Sequence, residues 1–172
     1  MQTQQTIAIV GLGNTGSALA KLFASGRHRV LLSDKDIAAS EALAVQLLQE
    51  HPAYEVEAIT CSANACWEAD VIIPAVASEE LETVANYIKA YANQKIVVST
   101  SIEGLDNSKV AGKLHALFPF SKIVQLYPAT DFGASSNQSV SLTIDGADDE
   151  AVEMVASLFT EVGCKITAHI AS

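Results

Sequence analysis

Three glycines near the amino terminus have the spacing of a phosphate-binding turn. The segment Gly11-x-Gly13-x-x-Gly16 lies between an apolar run ending at Val10 and an amphipathic segment starting near Asn14. In such a turn the first glycine permits a sharp change of direction, the second leaves room for a pyrophosphate, and the third lets the helix pack closely on the strand. The helix amino terminus adds free N–H groups and a positive dipole end. This context predicts a dinucleotide site.

We expect six residues of this turn to hold the pyrophosphate: Gly11, Leu12, Gly13, Asn14, Thr15 and Gly16. The side chains of Asn14 and Thr15 can add donors to those of the backbone. A glycine-rich turn that binds nothing has the same appearance, and S-adenosylmethionine-dependent enzymes share glycine-rich turns. The spacing of these three glycines, between a strand and a helix, suits a pyrophosphate better.

A carboxylate follows the second predicted strand, 23 residues after Gly11. Asp34 is there in position to bind the ribose hydroxyls of an adenosine and to repel a 2′-phosphate. Ser33 and Lys35 are expected to contact the same ribose. Lys35 is flanked by Asp34 and by Asp36, which is predicted to cap the next helix. Local charge therefore favours NAD over NADP.

Further contacts are expected where other strands end, because ligands of doubly wound sheets bind at the carboxyl ends of the strands. The predicted rim follows the fourth, fifth and sixth strands: Val76, Ala77, Ser78, Ser99, Thr100, Ser101, Tyr127, Pro128, Ala129 and Thr130. Val76 and Ala77 would border the nicotinamide. Ser78 could instead cap a helix, and the hydroxyl cluster after the fifth strand could simply satisfy a turn. Tyr127 and Pro128 could shape a second-substrate pocket.

Short apolar runs alternate with amphipathic segments along the whole chain. The runs predict strands at Thr6–Val10, His28–Leu32, Tyr54–Thr60, Val71–Val76, Lys95–Val98, Lys122–Leu126, Val140–Ile144 and Lys165–His169. Helical spacing predicts helices at Gly13–Ser25, Asp36–Glu50, Glu79–Tyr91, Asn107–Leu117 and Ala147–Val162, the last closed by Gly163. The alternation predicts one α/β domain over residues 1–172: a doubly wound, mostly parallel sheet with helices on both faces, the NAD(P)-binding Rossmann fold.

Composition excludes several classes of function. The 172 residues are 49% hydrophobic and 17% charged, with a formal charge of -10. Nucleic acid and anionic membrane surfaces need a basic footprint, so neither is an expected partner. The amino terminus has no basic segment typical of a secretory signal, and we expect a cytoplasmic protein with reduced cysteines. A small molecule is the expected substrate, and a homodimer is one assembly that would complete its pocket.

No residue stands out as a catalytic acid or base. The four histidines are scattered and have no acidic partner at triad or metal spacing. Cys61 and Cys66 are separated by four residues, which is not a zinc-binding CxxC pair, so no metal site is predicted. Trp67 is expected to pack in the core. The catalytic residues are therefore left unassigned.

Several segments together resemble a known family. They are the opening IAIVGLGNTGSALA, the run Ala69-Asp70-Val71-Ile72-Ile73, the tail Asp145-Gly146-Ala147-Asp148, and Glu161-Val162-Gly163-Cys164. They resemble the deazaflavin-dependent NADP oxidoreductases, the coenzyme F420:NADP oxidoreductase family. That resemblance implies direct hydride transfer between nicotinamide C4 and deazaflavin C5, in which the protein mainly aligns two rings. F420 or a flavin would then be the co-substrate.

Two segments depart from the family's pattern. The family commonly holds a 2′-phosphate with serine or threonine followed by arginine, whereas this chain has Ser33-Asp34. The sixth strand leads into Gln125-Leu126-Tyr127-Pro128 rather than a Lys-Ala-Phe-Asn-like segment. The resemblance thus favours NADP, while local charge favours NAD. The alternative function is a non-catalytic dinucleotide-binding or redox-sensing module of a larger assembly.

Overall fold

The computed structural model describes residues 3–100, 107–128, 132 and 140–171, with side chains for all of these except 107–111 and 167–171. Its strands are β1 (Thr6–Val10), β2 (Arg29–Ser33), β3 (Val56–Ala58), β4 (Val71–Pro74), β5 (Ile96–Thr100), β6 (Lys122–Pro128), β7 (Ser141–Gly146) and β8 (Lys165–Ala171). Its α-helices are α1 (Asn14–Ala24), α2 (Ile37–Glu50), α3 (Ser62–Glu68), α4 (Ser78–Ile88), α5 (Asn107–Leu117) and α6 (Asp149–Glu161). A short 3₁₀ helix, Lys89–Tyr91, follows α4.

The strands form one sheet in the order β3-β2-β1-β4-β5-β6-β7-β8. Its pairings are parallel except that between β6 and β7. The predicted doubly wound, mostly parallel Rossmann fold is confirmed, and α6 crosses over between the parallel strands β7 and β8. The chain winds outward in opposite directions from β1 and β4, so a crevice opens at their carboxyl ends.

Alternation along the strands divides the core into two layers. Ile7 and Ile9 of β1 face one layer, and Ala8 and Val10 face the other, because successive side chains of a strand point to opposite faces. The first layer is covered by α1, α2 and α6 and includes the edge-to-face pair Phe23 and Phe159, with ring centroids 4.9 Å apart. The second is covered by α3, α4 and α5.

Two predicted helix ends are confirmed. The side chain of Asp36 accepts a hydrogen bond from the N–H of Ala39 at 3.2 Å and caps α2. Gly163 ends α6 with φ of +93°, and the following N–H, that of Cys164, reaches the carbonyl of Phe159 at 3.0 Å. A left-handed residue at this position is a common way to satisfy the last carbonyls of a helix.

The structure differs from the sequence-based prediction at α3, a helix that was not predicted. Its seven residues are too few for a clear helical period. Trp67, expected in the core, is 71% exposed on this helix. Lys95 donates to the carbonyls of Cys66 and Trp67 at the end of α3, and its ammonium lies 5.9 Å from the centroid of the tryptophan ring. A cation–π contact therefore holds this ring at the surface.

No helix within the described part of the chain combines the length and apolar character needed to cross a bilayer.

Candidate functional site

Two of the three motif glycines are required by the fold itself. Gly11 has φ of +96°, and a Cβ there would lie 2.7 Å from the carbonyl oxygen of Ala75 and 2.7 Å from Val76 Cγ1. A Cβ on Gly16 would lie 1.8 Å from the carbonyl oxygen of Gly11. The sharp turn and the close helix packing that the motif predicts are thus both present.

Gly13 differs from the other two glycines because no described residue occupies the space that its Cβ would take. Its backbone is extended, with φ of −69°, and a Cβ there would have no atom within 4 Å. The first intrahelical bond of α1 runs from the N–H of Ser17 to the carbonyl of Gly13, at 2.9 Å. The N–H groups of the three preceding residues, Asn14, Thr15 and Gly16, therefore have no partner within the helix. Together they form an open cradle at the positive end of α1.

Two cavities meet at this cradle, at the carboxyl ends of β1 and β4. The β2-side cavity has a volume of about 720 Å³ and is lined by Val10, Gly11, Leu12, Gly13, Asp34, Lys35, Asp36, Ile37, Ala39, Thr60, Cys61, Ser62, Ala75, Val76, Ala77, Glu80, Thr83, Val84 and Tyr87. The β5-side cavity has a volume of about 390 Å³ and is lined by Gly13, Asn14, Thr15, Pro74, Ala75, Val76, Ala77, Ser78, Glu79, Leu81, Ser99, Thr100 and Leu114. Gly13 and the segment after β4 line both.

Asp34 is held in place by the loop that it belongs to. One carboxylate oxygen accepts the N–H of Leu12 at 2.6 Å, and the other accepts the N–H of Asp36 at 2.8 Å. These bonds tie the end of β2 to the glycine turn and orient the carboxylate at the cavity. Because the N–H of Leu12 donates to Asp34, Leu12 lines the cavity but its N–H is not available to a ligand.

The neighbours of Asp34 point in different directions. Lys35 lines the β2-side cavity, and its ammonium lies 2.7 Å from a carboxylate oxygen of Glu80 on α4. Ser33 is fully buried, and its hydroxyl lies 2.8 Å from that of Ser62. The structure therefore brings Asp34 and Lys35 to the cavity but keeps Ser33 behind it.

One face of α4 completes the β2-side cavity and was missed in the sequence. It carries Glu80, Thr83, Val84 and Tyr87. These positions follow helical spacing, one step around from the apolar stripe that faces the core. These four residues form a second periodic stripe in the sequence of α4. The sequence alone does not show that this stripe faces the end of β2, which follows only from the order of the strands in the sheet.

A thiol lies in the same cavity. Cys61 Sγ is 3.5 Å from the Tyr87 hydroxyl, and this hydrogen bond is the main reason that the pKa of the Cys61 thiol lies below its ordinary value. Burial instead raises the pKa of Cys66, which lies in the second core layer, to about 12. Cys164 is also buried, and all three thiols are free.

The β5-side cavity is lined by small polar groups. Asn14 and Thr15 line it, together with Ser99 and Thr100, whose hydroxyls the sequence left open between contacting a ligand and satisfying a turn. Ser78 is the first residue of α4 rather than its cap, and no side chain caps that helix. Of the remaining rim residues, Ser101, Ala129 and Thr130 lie outside the described part of the chain.

A row of polar side chains runs across the sheet beyond this cavity. Ser99, Gln125 and Asp145 lie at paired positions of β5, β6 and β7, and one buried oxygen of Asp145 has no hydrogen-bond partner among the described residues. Tyr127 donates its hydroxyl hydrogen to Gln125. Burial, with a contribution from Asp145, raises the pKa of Tyr127. Tyr127 and Pro128 line neither of the two cavities described above.

Other titratable groups lie away from the cavities. His28 is buried, accepts the N–H of Gln5 at 2.9 Å, and lies 2.8 Å from Glu161. Arg29 begins β2, at the end of the strand opposite Asp34, and pairs with two glutamates. In the described segments, no three His, Cys, Asp or Glu side chains come together as a metal site would require.

Comparison with known proteins begins with a family model described as NADP oxidoreductase, coenzyme F420-dependent, which matches residues 6–103. Curated relatives include the glycerol-3-phosphate dehydrogenase [NAD(P)+] of Pseudomonas savastanoi pv. phaseolicola, 27% identical over 162 residues. The protein of the same name in Pseudomonas syringae pv. syringae is 28% identical. Each match covers 88% of this chain and 47% of the relative, so the chain spans about half the length of these relatives.

Solved structures share the fold. A protein described as an F420-dependent NADP reductase, from an Arthrobacter species, superimposes with a TM-score of 0.78 at 19% identity, covering 97% of this chain and 84% of its own. The 3-hydroxyisobutyrate dehydrogenase of Mycobacterium tuberculosis gives a TM-score of 0.77 at 19% identity, covering 98% of this chain and 56% of its own. The predicted class, NAD(P)-dependent oxidoreductase, is the class of these matched proteins and of the family model.

Proposed function

The chain belongs to the family of coenzyme F420-dependent NADP oxidoreductases, and from this premise we propose that it binds NAD(H) across the two cavities for hydride transfer. The second substrate would be a deazaflavin such as F420, a flavin, or another small molecule. The adenosine would occupy the β2-side cavity and the nicotinamide the β5-side cavity. The pyrophosphate would bridge them at Gly13.

The observation that carries this proposal is the open space at Gly13. A Cβ there would have no atom of the described residues within 4 Å, and the N–H groups at the start of α1 have no partner within the helix. A group with negative charge and several acceptor oxygens suits that cradle. The cradle also lies at the switch point of the sheet, where doubly wound proteins bind their ligands.

The adenosine side supports NAD(H) over NADP(H). Each carboxylate oxygen of Asp34 accepts one backbone N–H and has a further lone pair for a ribose hydroxyl. The same negative charge opposes a 2′-phosphate. In this proposal Asn14 and Thr15 add donors near the pyrophosphate, and Val76 and Ala77 border the nicotinamide.

The nicotinamide supplies the hydride at its C4 atom when it is bound. The chain's task is then to align two rings and exclude water, which does not require a general acid–base pair. In this proposal Tyr127 and Pro128, at the end of β6, shape the second-substrate pocket. The hydroxyl hydrogen of Tyr127 is donated to Gln125, so the Tyr127 oxygen would meet a substrate as an acceptor.

Isotope transfer tests this function. NADH dideuterated at C4 is mixed with the chain and with F420, whose C5 carbon keeps a transferred deuterium, and the reduced F420 is analysed by mass spectrometry. FMN, whose N5 hydrogen exchanges with water, is tested in parallel for anaerobic reduction by absorbance. Direct transfer predicts deuterium in the reduced F420 and none in the Gly13→Val variant. Binding of NADH without turnover of either acceptor would instead support the non-catalytic module.

A further inference from the structure

Lys35 and Glu80 come from different elements and meet at the β2-side cavity. Lys35 precedes α2, and Glu80 lies in the first turn of α4. The ammonium nitrogen is 2.7 Å from the carboxylate oxygen, and the two side chains are 81% and 47% exposed. Both residues line the cavity. A 2′-phosphate on a nucleotide bound beside Asp34 would have to approach this ion pair.

The charge around the cavity is unbalanced. Among the described residues that line it, Lys35 is the one cation, while Asp34, Asp36 and Glu80 are carboxylates. Glu80 is also the principal cause of a raised pKa at Lys35. The cation that a 2′-phosphate would need is therefore already paired, and its partner carries the charge that the phosphate would meet.

We propose that Glu80 is a specificity-determining residue, which selects NAD(H) over NADP(H) by holding Lys35 away from a 2′-phosphate. This inference rests on the proposed binding of a dinucleotide, and it adds a second residue to the effect expected of Asp34. NADP(H) would have to displace Glu80 from Lys35 and then tolerate its negative charge nearby. NAD(H) has no group there and leaves the ion pair intact.

A purely structural role for Glu80 predicts something different. A carboxylate in the first turn of a helix is stabilised by the helix dipole. Loss of that effect would weaken α4 and would lower the affinity for both nucleotides alike. A specificity role changes only the ligand that carries the 2′-phosphate, so the ratio of two affinities separates the roles.

The experiment uses two probes that differ in that phosphate alone, 5′-AMP and adenosine 2′,5′-bisphosphate. Their affinities are measured by calorimetry on the full chain and on Glu80→Gln, with Glu82→Gln as the matched control. Glu82 is an exposed acid of the same helix that does not line the cavity. We expect Glu80→Gln to tighten the bisphosphate about fivefold, with 5′-AMP unchanged within about twofold, as suits one exposed charge. Glu82→Gln should match wild type.

A Lys35→Gln background shows whether Glu80 acts through the lysine. There the added effect of Glu80→Gln on the bisphosphate should shrink to about twofold or less, because no cation is released and only the screened repulsion by Glu80 remains. An equal change for both probes, or an equal effect of Glu80→Gln and Glu82→Gln, overturns the specificity role while dinucleotide binding stands. Failure of wild type to bind 5′-AMP or NADH overturns the proposed function and this inference together.

Discussion

The two cavities differ in how their polar groups are already engaged. On the β2 side the charged groups are bonded within the protein, Asp34 to two backbone N–H groups and Lys35 to Glu80. On the β5 side the polar lining consists of hydroxyl and amide groups, such as those of Thr15 and Thr100, with Glu79 as its one charged residue among those described. A preorganised cavity with several charges suits discrimination between related ligands. A cavity with mostly hydroxyl and amide groups suits a nicotinamide ring and a second substrate beside it.

The largest effect is expected at the junction of the two cavities. Gly13→Val would place three carbon atoms in the phosphate approach and should weaken NADH binding at least about 100-fold, or roughly 2.8 kcal/mol. The melting temperature should stay within about 2 °C of wild type, because a Cβ at this position has no atom of the described residues within 4 Å. Calorimetry and thermal unfolding measure the two quantities.

Gly16 supplies the contrasting variant within the same turn. Gly16→Ala forces a Cβ against the Gly11 carbonyl and should lower the melting temperature by about 10 °C or prevent folding. A Gly13→Val variant that unfolds as Gly16→Ala does, or that binds NADH normally, would contradict the assignment of Gly13 to a ligand.

Asp34→Asn should affect one cavity only. It removes a charge and leaves one backbone N–H without its acceptor, a change of about 1–3 kcal/mol. We expect 5′-AMP to bind about tenfold more weakly and nicotinamide mononucleotide to be unaffected within about twofold. Competition against NADH measures both.

Asp70→Asn is the matched control for Asp34→Asn. Asp70 also accepts a backbone N–H, that of Thr6 at 2.9 Å, but at the opposite end of β1. It should leave both half-cofactors unaffected. Equal weakening of the two half-cofactors by Asp34→Asn would remove the distinction between the cavities.

Covalent labelling of Cys61 tests whether the adenosine binds in the β2-side cavity. Its thiol lines that cavity and has a lowered pKa, whereas Cys66 is buried with a pKa of about 12. A thiol reagent should therefore modify Cys61 first. Saturating 5′-AMP should slow this labelling about tenfold or more, and nicotinamide mononucleotide should not.

Peptide mapping identifies the labelled cysteine. The Cys61→Ser variant is the control, and it should not be labelled while it is folded. Labelling of Cys61 that ignores both nucleotides would place the adenosine elsewhere.

The smallest effect is expected far from both cavities. Hydrogen bonds lower the pKa of Glu161, and the one from Arg27 has the largest effect. Because the folded pKa is lowered, the stabilisation is present at neutral pH and is lost as the pH falls through that lowered value. Glu161→Gln should cost about 0.5–1 kcal/mol at pH 7 and nothing at a pH below the folded pKa, with NADH affinity unchanged. Denaturant unfolding at several pH values measures this difference.

Local patterns predicted the parts of the site that are contiguous in sequence. The glycine turn, the cap at Asp36 and the carboxylate at the end of β2 each depend on a few neighbouring residues. The pair of Lys35 and Glu80 depends on the β1–β4 adjacency, which brings two segments 45 residues apart together. Ser33 turned inward because α3, too short to predict, supplies Ser62 as its partner.

Parallel calorimetric titrations of the wild-type chain with NADH and NADPH test the assigned site and its specificity together. We expect a single site that binds NADH more tightly than NADPH, because Asp34 repels a 2′-phosphate and Glu80 keeps Lys35 from pairing with it. Tighter binding of NADPH would contradict the assigned specificity. Binding of neither nucleotide would contradict the dinucleotide site itself.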